Sequence, residues 1–133
     1  MRAMAKLLAR KIRVILADDH PVVRDGLAAI VNQQADMEVV AEAGDGAEAL
    51  ELYEQHNPDV MVLDLHMPKL DGAAVVQKVL EKHPKACLLI MTTYDGDEDI
   101  FRSLSQGAKG YLLKDAPRQE ILSAIRAVAE RIS

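Results

Sequence analysis

Asp59-Val60-Met61-Val62-Leu63-Asp64 opens and closes on a carboxylate and is apolar in between. Turn signals bound it: Asn57-Pro58 before it, Pro68 and Asp71-Gly72 after it. An unbroken apolar run of this length describes a short strand covered on both faces, as in a parallel sheet. A strand with one wet face would alternate apolar and polar residues.

Working outward, the same unit recurs. Upstream, Met37 to Ala43 reads as a strand that Gly44-Asp45-Gly46 breaks, and Ala47 to Gln55 as a helix rich in Ala, Glu and Leu. Before that, Ile12 to Ala17 is a β-branched run that stops at Asp18-Asp19. Pro21 then stands where a helix accepts proline, and Val22, Val23, Leu27, Ile30 and Val31 follow at helical spacing. Downstream, a helix is predicted over Ala73 to Lys82 and a strand over Ala86 to Met91, ending at Thr92-Thr93. A weaker helix runs from Asp97 to Gln106, with Ile100, Phe101 and Leu104 offered to the core, and Gly107 is placed as its left-handed cap. Gly110 to Leu113 is a short strand followed by Lys114. Arg118 to Arg131 is the last helix, with Ile121, Leu122, Ile125 and Val128 on one side. Strict alternation of strand and helix predicts an α/β fold, a parallel five-stranded sheet with helices on both faces.

Composition narrows the function. The chain has 133 residues, half of them apolar, which suits one domain with its own core. Twenty-one acids against 16 bases leave a net charge of −5, so there is no basic footprint for nucleic acid. The single cysteine, Cys87, lies in an apolar run and reads as a small buried hydrophobe. No apolar run approaches the ~20 residues of a membrane span. Residues 1–11 carry Arg2, Lys6, Arg10 and Lys11 around Leu7-Leu8, too short for a signal-peptide core. They are read as an N-terminal extension, native or introduced with the expression vector, ahead of a domain over residues 12–131. A cytoplasmic protein is expected.

Four of the five strands end on polar residues: Asp18-Asp19, Asp64, Thr92-Thr93 and Lys114. In an open parallel α/β sheet these ends share one edge, where ligands bind. Singly, each residue has a plainer role as a turn, cap or solvated charge; their collection at one edge points to chemistry. Three clustered carboxylates repel one another unless a cation joins them. A hard divalent cation such as Mg²⁺ suits oxygen ligands and keeps waters for an incoming phosphate. A carboxylate can attack phosphorus, and phosphoryl transfer needs chiefly positioning and positive charge on the transferring oxygens. Lys114 supplies such a charge and Thr92 a hydrogen bond. The histidines, His20, His56, His66 and His83, sit in separate loops or helix ends, so a metal site built from them is not expected. His20 and His66 are placed on the rim of the acidic pocket, with Thr93 and Tyr94.

The strings Ala17-Asp18-Asp19-His20-Pro21, Asp64-Leu65-His66-Met67-Pro68-Lys69-Leu70-Asp71-Gly72, Leu89-Ile90-Met91-Thr92-Thr93-Tyr94 and Gly107-Ala108-Lys109-Gly110-Tyr111-Leu112-Leu113-Lys114-Asp115 resemble a bacterial two-component receiver domain, in the flavour of the NarL/LuxR class of response regulators. The resemblance implies a flavodoxin-like (βα)5 three-layer fold, order 2-1-3-4-5. It implies that Asp64 accepts a phosphoryl group from a sensor histidine kinase. Asp19 is then the direct metal acid, Asp18 the acid acting through water, and the backbone carbonyl of His66 a further ligand of Mg²⁺. Thr92 and Lys114 follow the phosphoryl group, and Thr92 and Tyr111 form the switch. Such a domain is a signalling device rather than an enzyme, although it assists its own phosphorylation and dephosphorylation. Its partners would be the kinase, a second copy on phosphorylation, and DNA only through a C-terminal helix-turn-helix domain that residues 12–131 do not contain. Where many receivers have proline after the lysine, often through a cis bond, Asp115 follows here, and the isomer of that bond stays open.

Other readings are a stand-alone receiver working in a phosphorelay or by protein contact, a haloacid-dehalogenase-like phosphatase, and a flavin carrier. The phosphatase resembles Asp-x-Asp after its strand, whereas His66 stands two residues after Asp64. The flavin carrier calls for a Gly, Ser and Thr-rich phosphate loop after the first strand, where Asp18-Asp19 would repel a phosphate lacking metal.

Overall fold

The computed structural model describes residues 10–94 and 96–130. Five parallel strands form one sheet in the order β2-β1-β3-β4-β5: β1 (Ile12–Ala17), β2 (Met37–Ala43), β3 (Val60–Asp64), β4 (Leu88–Thr92) and β5 (Gly110–Leu113). Five helices connect and follow them: α1 (Pro21–Asn32), α2 (Gly46–His56), α3 (Gly72–Lys82), α4 (Glu98–Gln106) and α5 (Arg118–Glu130). This is the expected architecture. Among the described residues no helix is long and apolar enough to cross a membrane, and no peptide bond is cis.

The apolar run of β3 explains the two cores. Side chains alternate across a strand. Val60 and Val62 join Leu27, Val31, Leu122 and Ile125 in the core under α1 and α5. Met61 and Leu63 join Ala49, Tyr53, Val76 and Val79 in the core under α2 and α3. Both faces are therefore buried, and each such residue contributes about 1.5–3 kcal/mol on leaving water. Strand β2 lies at an edge, and its register against β1 slips between Val14 and Ile15, leaving Val40 as a bulge.

Helix starts are set locally. The Asp45 side chain accepts the amide of Glu48 (2.8 Å) while Glu48 Oε1 accepts the amide of Gly44 (2.7 Å), a reciprocal cap for α2. Asp71 caps α3 through the Ala74 amide, and Pro21 opens α1. Asn57, at φ 44°, ends α2 in the left-handed region. Gly107 ends α4 at φ 123°, a positive angle as its placement there required.

Three details correct the sequence reading. Strand β4 begins at Leu88 rather than Ala86, because the Ala86 amide turns back to the His83 carbonyl after Pro84. Helix α4 begins at Glu98, since Asp97 is its cap, accepting the Asp99 amide. Phe101 does not reach the core. Ile100 and Ser103 take the buried phase of that short helix, and Phe101, on another side, is 78% exposed. Of the N-terminal extension, residues 1–9 lie outside the described residues; Arg10 is bound to Asp59, just before β3 (3.0 Å).

Candidate functional site

Strand register brings the site together. Ala17 of β1 stands opposite Leu63 of β3, so Asp18 and Asp64 emerge side by side. Thr92 of β4 stands opposite Leu113 of β5, and the amide of Lys114 donates to the Thr92 carbonyl (2.8 Å). Lys114 Nζ then donates to Asp64 Oδ2 (2.9 Å) and lies 3.0 Å from Asp18 Oδ2. Asp64 and Lys114, 50 positions apart in the chain, thus share one pocket with Asp18, and Asp18 and Asp64 are buried.

The backbone holds these groups in place. The His20 amide donates to Asp18 Oδ1 (2.8 Å) and the His66 amide to Asp64 Oδ1 (3.2 Å). Arg24 of α1 donates through Nη1 to the Asp18 carbonyl (2.6 Å) and through Nε to Glu42 of β2. Nothing in the sequence reading marked Arg24; its contact depends on α1 lying back across the β1 end.

Electrostatics set the chemistry. Burial pushes the Asp64 carboxyl up from its ordinary value. The Lys114 hydrogen bond and the His66 amide pull the other way without cancelling it, and the Asp18 charge adds to the rise. Burial alone would lower Lys114, but the carboxylates of Asp64 and Asp18 together outweigh it and hold the ammonium above its usual range. Lys114 therefore stays charged, while ionised Asp64 is held at a cost that further positive charge would relieve.

The donor set fits a divalent cation. Asp19 Oδ1 is buried and accepts no hydrogen bond, and Asp18 Oδ2, though beside Lys114, receives none of good geometry. Buried carboxylate oxygens that lack a well-aligned donor are what a hard cation satisfies. Ligand atoms of Asp18, Asp19, His20 and Asp64 all lie within 4.8 Å of one another. The imidazole of His20, placed on the rim, is 63% exposed, yet its Nδ1 reaches both Asp18 and Asp19.

Thr92 and Tyr111 stand differently. The buried Thr92 hydroxyl donates to Asp97 Oδ2 (3.4 Å) rather than to Asp64. Asp97 also pairs with the His66 imidazole, so the α4 cap ties β4 to the loop after β3. That pairing raises His66 and, with the Asp99 amide, lowers Asp97 against the effect of burial. Sequence reasoning placed Asp97 only as the first residue of that weaker helix. Tyr111 is 44% exposed and lines a groove with Ile100, Phe101 and Leu104. Thr93 and Tyr94 are exposed, as rim residues should be.

The response regulator receiver domain family matches residues 14–126, and the chain belongs to that family. It is 47% identical over 118 residues to the oxygen regulatory protein NreC of Staphylococcus carnosus, covering 88% of this chain and 54% of that protein. The chain thus spans about half the length of the curated relatives it matches. It superposes on the signal receiver domain of NarL from Mycobacterium tuberculosis with a TM-score of 0.87 at 40% identity, covering 91% of this chain and 98% of that one. A LuxR-family two-component response regulator from Aurantimonas sp. SI85-9A1 gives 0.86 at 33% identity, covering 91% and 86%. The chain is a receiver domain of the NarL/NreC type, a signalling domain of two-component systems.

Proposed function

We propose that Asp64 accepts a phosphoryl group from a sensor histidine kinase and that the charge change switches a transcriptional output. The observation that carries this is a buried carboxylate whose Oδ2 is held 2.9 Å from the Lys114 ammonium at the edge where β1 and β3 end. An Asp64 carboxylate oxygen attacks the phosphorus, the P–N bond to the donor histidine breaks, and the imidazole departs and takes up a proton. Lys114 balances the charge on the transferred oxygens, and the Thr92 hydroxyl turns from Asp97 towards them.

Asp18, Asp19, Asp64 and the His66 carbonyl would hold Mg²⁺, Asp19 directly and Asp18 through water. Bound there, Mg²⁺ supplies positive charge to the phosphoryl oxygens. The domain occupies residues 12–131, after an N-terminal extension. It acts as a phospho-acceptor that assists its own phosphorylation and dephosphorylation. The protein works in the cytoplasm, pairs with a second copy on phosphorylation, and reaches DNA through a C-terminal helix-turn-helix domain. NreC, a regulator about twice the matched length, supports that output. Movement of Thr92 opens space that Tyr111 fills, which biases two arrangements of the face made by α4, β5 and α5.

Incubation with a small phosphodonor and Mg²⁺ should add one phosphate to the protein, and Asp64→Asn should add none; unchanged labelling of that variant overturns the assignment. With beryllium fluoride, NMR shifts should concentrate in residues 92–115, and Thr92→Ala should blunt them. Shifts confined to α1 would remove the switch.

A further inference from the structure

We propose that the cleft at the sheet edge opposite Asp64 is a second binding site, which takes a small carboxylate with an apolar, ring-sized body. This site stands apart from Asp64 and the metal acids.

Strands β3 and β4 begin at this edge, where α2 and α3 end and the chain turns through Asn57-Pro58 and His83-Pro84. Neither proline can carry its helix onward. Between the two turns lies a cleft of about 460 Å³, a volume in the range of roughly 300–1,000 Å³ that small-molecule sites occupy. Tyr53, Pro58, Lys82, Pro84, Lys85 and Cys87 line it, and Pro58 and Cys87 are buried. Tyr53 sets the cleft apart from a plain surface recess. It is 3% exposed, and its hydroxyl makes no hydrogen bond among the described residues. A buried polar group ordinarily has a partner. Burial and nearby negative charge push that hydroxyl up to about 12, so at neutral pH it is a donor, and an acceptor is what it lacks.

Charge around the cleft selects the acceptor. Asp59 and His83 also face it, but both are engaged. Asp59 accepts from the Arg10 side chain (3.0 Å) and the Arg13 amide (2.8 Å), and His83 pairs with Glu54 (2.6 Å). The C-terminal end of α2 would repel an anion through its free carbonyls. Here the His56 and Asn57 carbonyls both accept from Arg13 Nη1 (2.8 and 3.2 Å). What remains is the ammonium of Lys82, which has no ion-pair partner among the described residues, with that of Lys85 on the same cleft. In a chain of net charge −5 this edge thus presents positive charge. A carboxylate answers both features: it accepts from Tyr53 and faces the two ammonium groups, while its apolar body lies against Pro58, Pro84 and Cys87.

Cinnamate is the probe, with cinnamyl alcohol as its neutral counterpart, each titrated into the ¹⁵N-labelled protein and followed by amide NMR shifts. Cinnamate should give saturable shifts concentrated in residues 53–59 and 82–87, and the alcohol should bind about tenfold more weakly. Tyr53→Phe keeps the ring and removes only the donor, and should weaken cinnamate about tenfold. Lys82→Gln combined with Lys85→Gln changes only exposed side chains, so the fold stays intact, and should bring cinnamate down to the level of the alcohol. Asp64→Asn should bind cinnamate as the wild type does, even if that residue proves not to be the phospho-acceptor. The inference is overturned by shifts that do not saturate or that lie elsewhere, by equal affinity for acid and alcohol, by unchanged affinity in Tyr53→Phe or in the lysine pair, or by loss of binding in Asp64→Asn, which would put the probe in the acidic pocket.

Discussion

Asp64 meets opposed demands: a nucleophile must be ionised, and a buried strand end disfavours charge. Because burial raises its folded-state value above that of the unfolded chain, the ionised carboxylate destabilises the metal-free fold at neutral pH. That penalty should lift as pH falls through the raised value. Asp64→Asn is therefore expected to raise Tm by about 2–4 °C in chelator, with the gain shrinking when Mg²⁺ is added, as differential scanning fluorimetry would register. Lys114 is the counterpart. Its removal leaves Asp18 and Asp64 facing each other inside the protein, so Lys114→Ala should cost about 3–5 kcal/mol in chelator by urea unfolding. A loss under 1 kcal/mol by roughly the same measure would place the ammonium outside the buried network.

The elements next to the site differ in firmness, and the difference has causes. The start of α3 lies against the end of β3. A Cβ on Gly72 would stand 2.5 Å from the Asp64 carbonyl oxygen and 2.7 Å from Leu65 Cα, both backbone atoms that cannot swing away. Gly72→Ala should lower stability by about 1–3 kcal/mol and, by shifting the strand end, slow phosphorylation of Asp64. Normal labelling kinetics in a destabilised Gly72→Ala protein would show that the strand end does not move. Helix α4 is the opposite case. It is nine residues long and buries only Ile100 and Ser103, the latter with a hydroxyl that has no hydrogen-bond partner. Its amides should exchange with deuterium faster than those of α3, which buries Val75, Val76 and Val79.

Across the whole molecule, α5 is stapled to the turn before β2. Arg126 donates to both oxygens of Asp36 (2.8 and 2.9 Å) and to Gln34. The Arg126 hydrogen bonds lower Asp36, so the pair supports the fold above the ordinary carboxylate value of 3.8 and is lost as pH falls below it. Both partners are well exposed to solvent, so the contribution is small, about 0.5–1 kcal/mol. A double-mutant cycle with Arg126→Ala and Asp36→Ala should return that coupling at pH 7 and none near pH 2.

The apolar run at Val60–Leu63, the turn residues between units and the polar residues closing four of the five strands were enough to read a parallel α/β sheet and its reactive edge, because period, length and chain reversal are written in local sequence. Gly107 and Pro21 marked helix ends for the same reason: their backbone preferences are intrinsic. Which way a side chain turns is different. His20 facing the acids, Arg24 gripping the Asp18 carbonyl, Asp97 joining Thr92 to His66, and Phe101 left outside all depend on how helices sit on the sheet. Such contacts cross between elements, and their geometry is set by packing, which no single stretch of sequence contains.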